Sequence, residues 1–471
     1  MEGILLAAAE AAPFCQVGDL GVVVGSLPQE LRRKGNDVRV IMPRYQSLTL
    51  EAKLLGEVTV ELGWRRQIAK VEQVEHEGVS FYFIGNDYYF DRPDVYGYAD
   101  DGERYAFFCR AVLEALPLLQ FWPKVIHCHD WHTGLVGVML QEFYRQRPEY
   151  QSMRTVFTVH NARFQGAVSG DFFEDMLGLP PEKVNALGLK EEGGFTFLQA
   201  GIRMADQLTT VSQSGIREMT AVAQAAPLAA MPLPKISAIP YGLDYKEYNP
   251  SSDPYIYAQY HNRALKKRLQ NKLDLQEALE LPVRGDIPLV GMVSRGEKDQ
   301  GFELLLPVLA EMMALNIQLV IAGYGGIEER LRLTEASLRY RGKLVFLESG
   351  EEEVVRRIYA GSDLFLIPSR SEACGLSQLI AMRYGSLPVV RGCGKVTDTV
   401  AAYNAMTGEG CGFVYSRYDA QEMIAAVRQA VDLYGNRKAW EQIVRNAMKR
   451  DNSWQQPVKE YCSLYQQLTQ E

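Results

Sequence analysis

Short apolar runs alternate with amphipathic stretches along most of this chain. The run GILLAAA (3–9) predicts a strand, and the stretch at 25–35 predicts a helix with one apolar face. DVRVIMP (37–43) and SFYFIG (80–85) predict two more strands, followed by a helix over 104–119. KVIHCHD (124–130), RTVFTVHN (154–161) and QLTTVS (207–212) complete the strands of the first half. Stretches of helical period at 133–146 and 195–206 lie among them. From residue 288 the rhythm repeats. PLVGMVS, IQLVIAGYG, KLVFLES, DLFLIPS and LPVVR are the expected strands, with helices over 301–316, 328–342, 352–362 and 375–385. Such alternation predicts parallel sheets with helices on both faces. A polar, helical segment near 241–288 reads as a hinge, and 454–471 as a terminal helix. The expected fold class is α/β, with two Rossmann-like doubly wound domains facing across a cleft. The boundaries are 1–245 and 246–450, with 451–471 packing back on the N-terminal domain.

Length agrees, since 471 residues exceed one hydrophobic core. Lys plus Arg number 50 against 58 Asp plus Glu, a net charge of −8. That balance argues against nucleic acid or an anionic membrane surface as partner. No apolar run reaches the ~18 residues that span a bilayer, and no basic leader precedes the first strand. Seven scattered cysteines without a CxxC pair read as reduced thiols of a cytoplasmic protein. Oligomeric state is not legible.

Ligands of doubly wound sheets bind at strand-to-helix loops. The stretch PFCQVGDLGVVVGSLPQELRRKG (13–35) has the glycine spacing of an anion-cradling loop, yet the loop itself holds no Lys or Arg and carries Asp19. Other loops hold HCHDWHTGL (127–135), TVHN (158–161), GMVSR (291–295) and PSRSEACGLSQL (368–379). Together with EAAPF (10–14), DVRVIMPRY (37–45) and GLDYKEYNP (242–250), these make the whole chain resemble the bacterial glycogen and plant starch synthases. The resemblance implies the GT-B fold and a retaining hexosyltransferase. Its partners are then a nucleotide sugar, ADP-glucose, and an α-1,4-glucan, with no metal or other cofactor.

Transfer from a sugar nucleotide leaves negative charge on the departing diphosphate, which fixed donors must stabilise. By resemblance, Arg295 contacts the diphosphate. Glu372 faces the donor glucose, although an acid there equally caps a helix. The N–H groups of Cys374, Gly375 and Leu376 are offered to sugar or phosphate oxygens. His160 hydrogen-bonds the transferred glucose by resemblance, while as a lone strand-end histidine it equally reads as core. Asp130 lines the acceptor side by resemblance, or caps a helix starting near His132. His127, His129, Asp130 and His132 invite a metal reading, but no second His/Cys cluster accompanies them, and no metal site is expected.

The departures concentrate on the donor. The family writes the first loop as Lys-Thr-Gly-Gly-Leu-Ala-Asp-Val. Here it runs Gln16, Val17, Gly18, Asp19, Leu20, Gly21, Val22, Val23. Gln300 stands at a second phosphate-binding lysine, with Lys298 two residues away. Gly350 stands at the family's adenine-stacking tyrosine, and Cys393, Gly394, Lys395, Val396 replace Thr-Gly-Gly-Leu. The expected donor-binding set is Gln16, Gly18, Arg295, Gln300, Cys374, Gly375, Leu376 and Lys395. Two readings stay open: a retaining glucosyltransferase with a degenerate donor loop or another sugar nucleotide, or an impaired synthase-like protein that binds glucan or regulates an active synthase. Asp19 is expected to cap the helix starting near Leu20 and to take the N–H bonds that a phosphate would take.

Overall fold

The computed structural model describes residues 3–169, 171–187, 195–224, 233–295, 301–370, 375–394 and 396–470, with backbone alone at Gln224 and Arg295. The chain forms two units, Met1–Gly242 with Trp454–Glu471, and Leu243–Ser453. Strands β1 (Gly3–Ala7), β2 (Asp37–Pro43), β3 (Lys53–Leu62), β4 (Arg65–His76), β5 (Val79–Gly85), β6 (Val125–His129) and β7 (Arg154–Val159) belong to the first unit. A small pair, β8 (Ala167–Val168) and β9 (Phe195–Thr196), stands apart, and β10 (Gln207–Thr210) and β11 (Ile236–Ala238) follow. The main sheet runs β11-β10-β7-β6-β1-β2-β5-β4-β3. Ile4 to Ala9 are fully buried. A central strand covered on both faces needs this continuous apolar run.

The sheet is mixed rather than wholly parallel. β4 pairs antiparallel with both β3 and β5. Sequence periodicity passed this hairpin over because Lys, Arg, Glu and Gln interrupt its apolar positions. It forms the sheet margin, where one face meets water and the charges stay solvated. Two expected helices are also broken. The stretch near 301–316 divides at Pro307 into Phe302–Leu305, a tight turn, and Leu309–Ala314. Proline supplies no N–H there and crowds the preceding turn. The stretch near 133–146 is a short helix, Leu135–Met139, continued by a wider π turn.

The terminal helix Gln455–Gln470 packs within the first unit. Trp454 Nε1 donates to Ser26 Oγ at 3.0 Å, and the Tyr465 hydroxyl lies 2.7 Å from His127 Nδ1. Gly242 permits the return, since a Cβ there would lie 2.4 Å from Trp454 Cα.

The second unit holds β12 (Leu289–Arg295), β13 (Gln318–Tyr324), β14 (Leu344–Leu347), β15 (Leu364–Ile367), β16 (Leu387–Arg391) and β17 (Phe413–Tyr415). They are parallel in the order β14-β13-β12-β15-β16-β17. This is the doubly wound order whose direction of winding reverses between β12 and β15. A buried charge cluster fastens the opposite end of that junction. Asp363, beside the start of β15, accepts from Leu289 N (3.0 Å), Lys272 Nζ (2.6 Å) and Arg268 Nη1 (3.5 Å). Burial opposes its charge, but Lys272 and Arg268 outweigh burial and hold its pKa below the usual carboxylate range. Removing one partner strands a buried cation. Asp363→Asn is therefore expected to cost about 3–5 kcal/mol, read as an earlier urea transition of the second unit. A change under about 1 kcal/mol would show that the cluster does not hold the sheet together.

Candidate active site

Two strand ends meet where β6 and β7 stop. Asp130 follows β6 with φ 56° and ψ 179°. Non-glycine residues occupy that region at a cost of about 1–3 kcal/mol, so the surroundings must hold it. Asp130 N donates to Thr158 O at 2.9 Å. Its Oδ1 accepts from His160 N at 2.7 Å and Asn161 N at 3.3 Å. The carboxylate thus bridges to the loop after β7. No side chain caps the turn at Trp131–Thr133, so the capping alternative for Asp130 is not what is seen.

His160 is buried, with its ring held on both sides. Nε2 lies 2.9 Å from His129 Nδ1, and Nδ1 bonds the Tyr241 hydroxyl. A sugar hydroxyl bonding this ring must therefore displace one of these partners. Behind it, His127 Nε2 lies 2.6 Å from Thr158 Oγ1. Burial pushes His127 well below its ordinary pKa and lowers His129 and His132 to about 3 each, so these three rings are neutral at neutral pH. Their nitrogens do not converge. Among the described residues, no group of three or more His, Cys, Asp or Glu is placed to hold a metal ion.

The glycine-spaced loop has an unexpected acceptor. Glu10 Oε2 takes the N–H groups of Val17 (2.6 Å) and Gly18 (2.9 Å), and its Oε1 accepts from the Tyr96 hydroxyl (2.6 Å). The expectation for Asp19 is corrected. The helix Asp19–Arg33 begins at Asp19 itself, Gly18 is the cap position, and the loop N–H groups go to Glu10. Its carboxylate lies within the first turn, where the helix dipole favours it. Gly21 packs so tightly that a Cβ would lie 2.8 Å from Cys15 O. Gln16 is exposed and Gly18 half-buried. Glu10 was visible in EAAPF, directly after the first strand, yet an isolated acid in an apolar context signalled no role. Nothing in the local sequence pointed to Tyr241.

In the second unit, Gly375 has φ +69° and caps the helix Leu376–Arg383. A Cβ there would lie 2.3 Å from Gln378 Nε2, and Leu376 is buried. The backbone of Arg295 ends β12 opposite Tyr324. The Arg295 side chain, and all of Lys298, Gln300, Glu372, Cys374 and Lys395, lie outside the described residues.

Comparison with known proteins follows the same division. The model of the starch synthase catalytic domain matches residues 3–231, and that of glycosyl transferases group 1 matches 277–449. The glycogen synthase of Geobacillus stearothermophilus is 42% identical over 472 residues, covering 99% of this chain and 97% of that one. The chain belongs to the glycogen and starch synthase family. The glycogen synthase of Caldicellulosiruptor saccharolyticus is also 42% identical, over 99% of both chains. Among solved structures, the catalytic domain of starch synthase IV from Arabidopsis thaliana, bound to ADP and acarbose, superposes with a TM-score of 0.89 at 29% identity, covering 100% of each chain. A sucrose-phosphate synthase from Thermosynechococcus elongatus, at 17% identity and TM-score 0.66, shares the fold. The fold is GT-B, as expected for the family. No helix among the described residues is long and apolar enough to cross a membrane.

The Glu10 arrangement yields a pH test. Burial raises the Glu10 pKa more than its hydrogen bonds to Tyr96, Gly18 and Val17 lower it. The folded chain then holds this proton more tightly than the unfolded chain, and stability falls as pH rises above the ordinary carboxyl range of about 4.3. Glu10→Gln keeps an oxygen for both N–H groups and an amide for Tyr96 but does not titrate. Its Tm relative to the parent should rise between about pH 4 and pH 8. A constant difference across that range would refute the assignment.

Proposed function

We propose that this chain is a retaining glucosyltransferase that moves glucose from ADP-glucose to the non-reducing end of an α-1,4-glucan. The observation that carries this reading is its end-to-end likeness to glycogen synthases, which includes both the acceptor-side and the donor-side halves. The reaction needs the anomeric carbon to gain oxocarbenium character while the diphosphate departs, so fixed dipoles at the leaving group do most of the work. Arg295 and the backbone N–H groups of Cys374, Gly375 and Leu376 are assigned to the diphosphate and sugar oxygens. By the same resemblance, Gln16, Gly18, Gln300 and Lys395 are assigned to donor binding, and Glu372 to the donor sugar. Asp130 and His160 are assigned to the acceptor side and to the transferred glucose, and Asp130 fixes the loop that carries His160. Lewis-acid help from a metal is not required by this assignment.

Gln16 beside Glu10 favours a second reading, in which donor use is impaired. The Glu10 carboxylate takes two loop N–H groups, and Gln16 leaves that carboxylate without the lysine that the resemblance implies beside it. A glucan-elongation assay with ADP-glucose and a maltooligosaccharide separates the two. Longer products with α linkages support the transferase. Glucan binding without elongation from ADP-glucose or UDP-glucose supports the second reading. A repair variant measures the charge deficit. Gln16→Lys with Asp19→Gly restores a cation and removes an acid near the loop. A charge-assisted hydrogen bond contributes about 1.5–3 kcal/mol, so calorimetric affinity for ADP-glucose should rise roughly tenfold to a hundredfold. No gain would place the deficit elsewhere on the donor.

A further inference from the structure

Unit 2 presents an aromatic ring to which the transfer chemistry above assigns no role. Tyr324 is the last residue of β13, and 49% of it is exposed. Its seat is nevertheless fixed. Ser294 Oγ donates to the Tyr324 carbonyl oxygen at 2.8 Å, and Tyr324 is the register partner of Arg295. The preceding Gly323 has φ +118°, and a Cβ there would lie 1.8 Å from Ser294 O. The end of β13 is thus pressed onto the end of β12, at a spot where only glycine fits. The ring is equally definite in what it borders. Gly350 lies beside it, and a Cβ at 350 would stand 3.1 Å from Tyr324 Cε2. That position therefore points at the ring's edge and supplies no side chain to cover it.

The strand order says what such a ring can meet. In a doubly wound unit, phosphates sit over the central strand end where the winding reverses, and the ribose is met from the strand beside it. Here the central strand is β12 and its neighbour on the earlier-wound side is β13. A nucleoside joined to phosphates over β12 extends across the end of β13, where Tyr324 stands. We infer that the Tyr324 ring is the stacking surface for the base of a nucleoside diphosphate, with Gly350 leaving room beside it. This rests on the reading of unit 2 as the donor-binding half. Stacking needs no hydrogen-bond readout, because every base has a π face, and a purine covers more of the ring than a pyrimidine. Such a contact adds donor affinity without adding positive charge.

The test is calorimetric titration of the full chain with ADP and, separately, with inorganic pyrophosphate, which carries the charge without the base. Tyr324→Ala should weaken ADP binding about tenfold to a hundredfold and leave pyrophosphate binding unchanged. Tyr324→Phe should keep the parent's ADP affinity. Tyr324→Ala combined with Gly350→Tyr, which projects a ring into the same space from the other side, should recover part of the loss. Thermal melts confirm that each variant is folded. An ADP affinity unchanged in Tyr324→Ala overturns the inference, as does equal weakening of ADP and pyrophosphate. A parent that binds pyrophosphate as tightly as ADP also overturns it, while donor binding by phosphate contacts survives. A parent that binds neither ligand overturns both the inference and the donor-binding reading.

Discussion

The first unit's site depends on one acceptor, Asp130 Oδ1, which takes the N–H groups of His160 and Asn161. Asp130 occupies backbone territory that glycine visits freely and other residues do not. A strained residue at the end of a strand relaxes unless something outside its own strand holds it. That restraint comes from the loop after β7, through the N–H groups of His160 and Asn161. The dependence is mutual. The same bonds fix where the β7 loop leaves the sheet, and so where the His160 ring lies between His129 and Tyr241. Tyr241 immediately precedes Gly242, where the chain leaves the first unit, and Gly242 packs on Trp454, where it returns. A strained aspartate, a histidine and the chain's exit from the unit are thus joined by buried polar contacts. Such contacts are strong because water is excluded and costly if broken for the same reason.

The fold was legible wherever burial left a continuous apolar run. DVRVIMP is β2 from first residue to last, and β13 to β16 fall within their apolar stretches, because central parallel strands tolerate no polar face. β12 runs one residue past its stretch, to Arg295, and the three-residue edge strand β17 is too short to carry a pattern. Legibility failed where one face meets solvent. The β3–β4 hairpin alternates charged and apolar residues, and its signal is diluted by the charges that keep a marginal strand from pairing with another chain. It failed again at the glycine-spaced loop, for a different reason. Sequence showed an acid, Asp19, next to a helix start, and local rules assigned it the cap. The carboxylate that takes the loop N–H groups is Glu10, seven and eight residues upstream. Local rules see i to i+3 neighbours, and the chain here folds back on itself through contacts that no short window contains.

The donor side shows how a site can change its chemistry without changing its fold. The resemblance implies two lysines and a stacking tyrosine, and this chain has Gln16, Gln300 and Gly350 at those positions. Gly18 keeps the first glycine of the family's pair and Asp19 replaces the second, while Gly21 is held to glycine by the closeness of Cys15 O. With Glu10 already satisfying two N–H groups, the loop is a closed hydrogen-bonded turn rather than an open cradle. A ligand held mainly by lysines loses affinity as salt rises, because its attraction is Coulombic and screened. A ligand held by stacking and by backbone dipoles does not depend on screening to the same degree. With the base stacked on Tyr324, as inferred above, replacing lysines by glutamine moves donor binding from the first regime toward the second. On that account the degenerate loop is not simply a weaker copy of the family's loop. It is what remains when affinity is carried by the base and the helix-start N–H groups, and it predicts a donor affinity less sensitive to ionic strength than lysine-based binding would be.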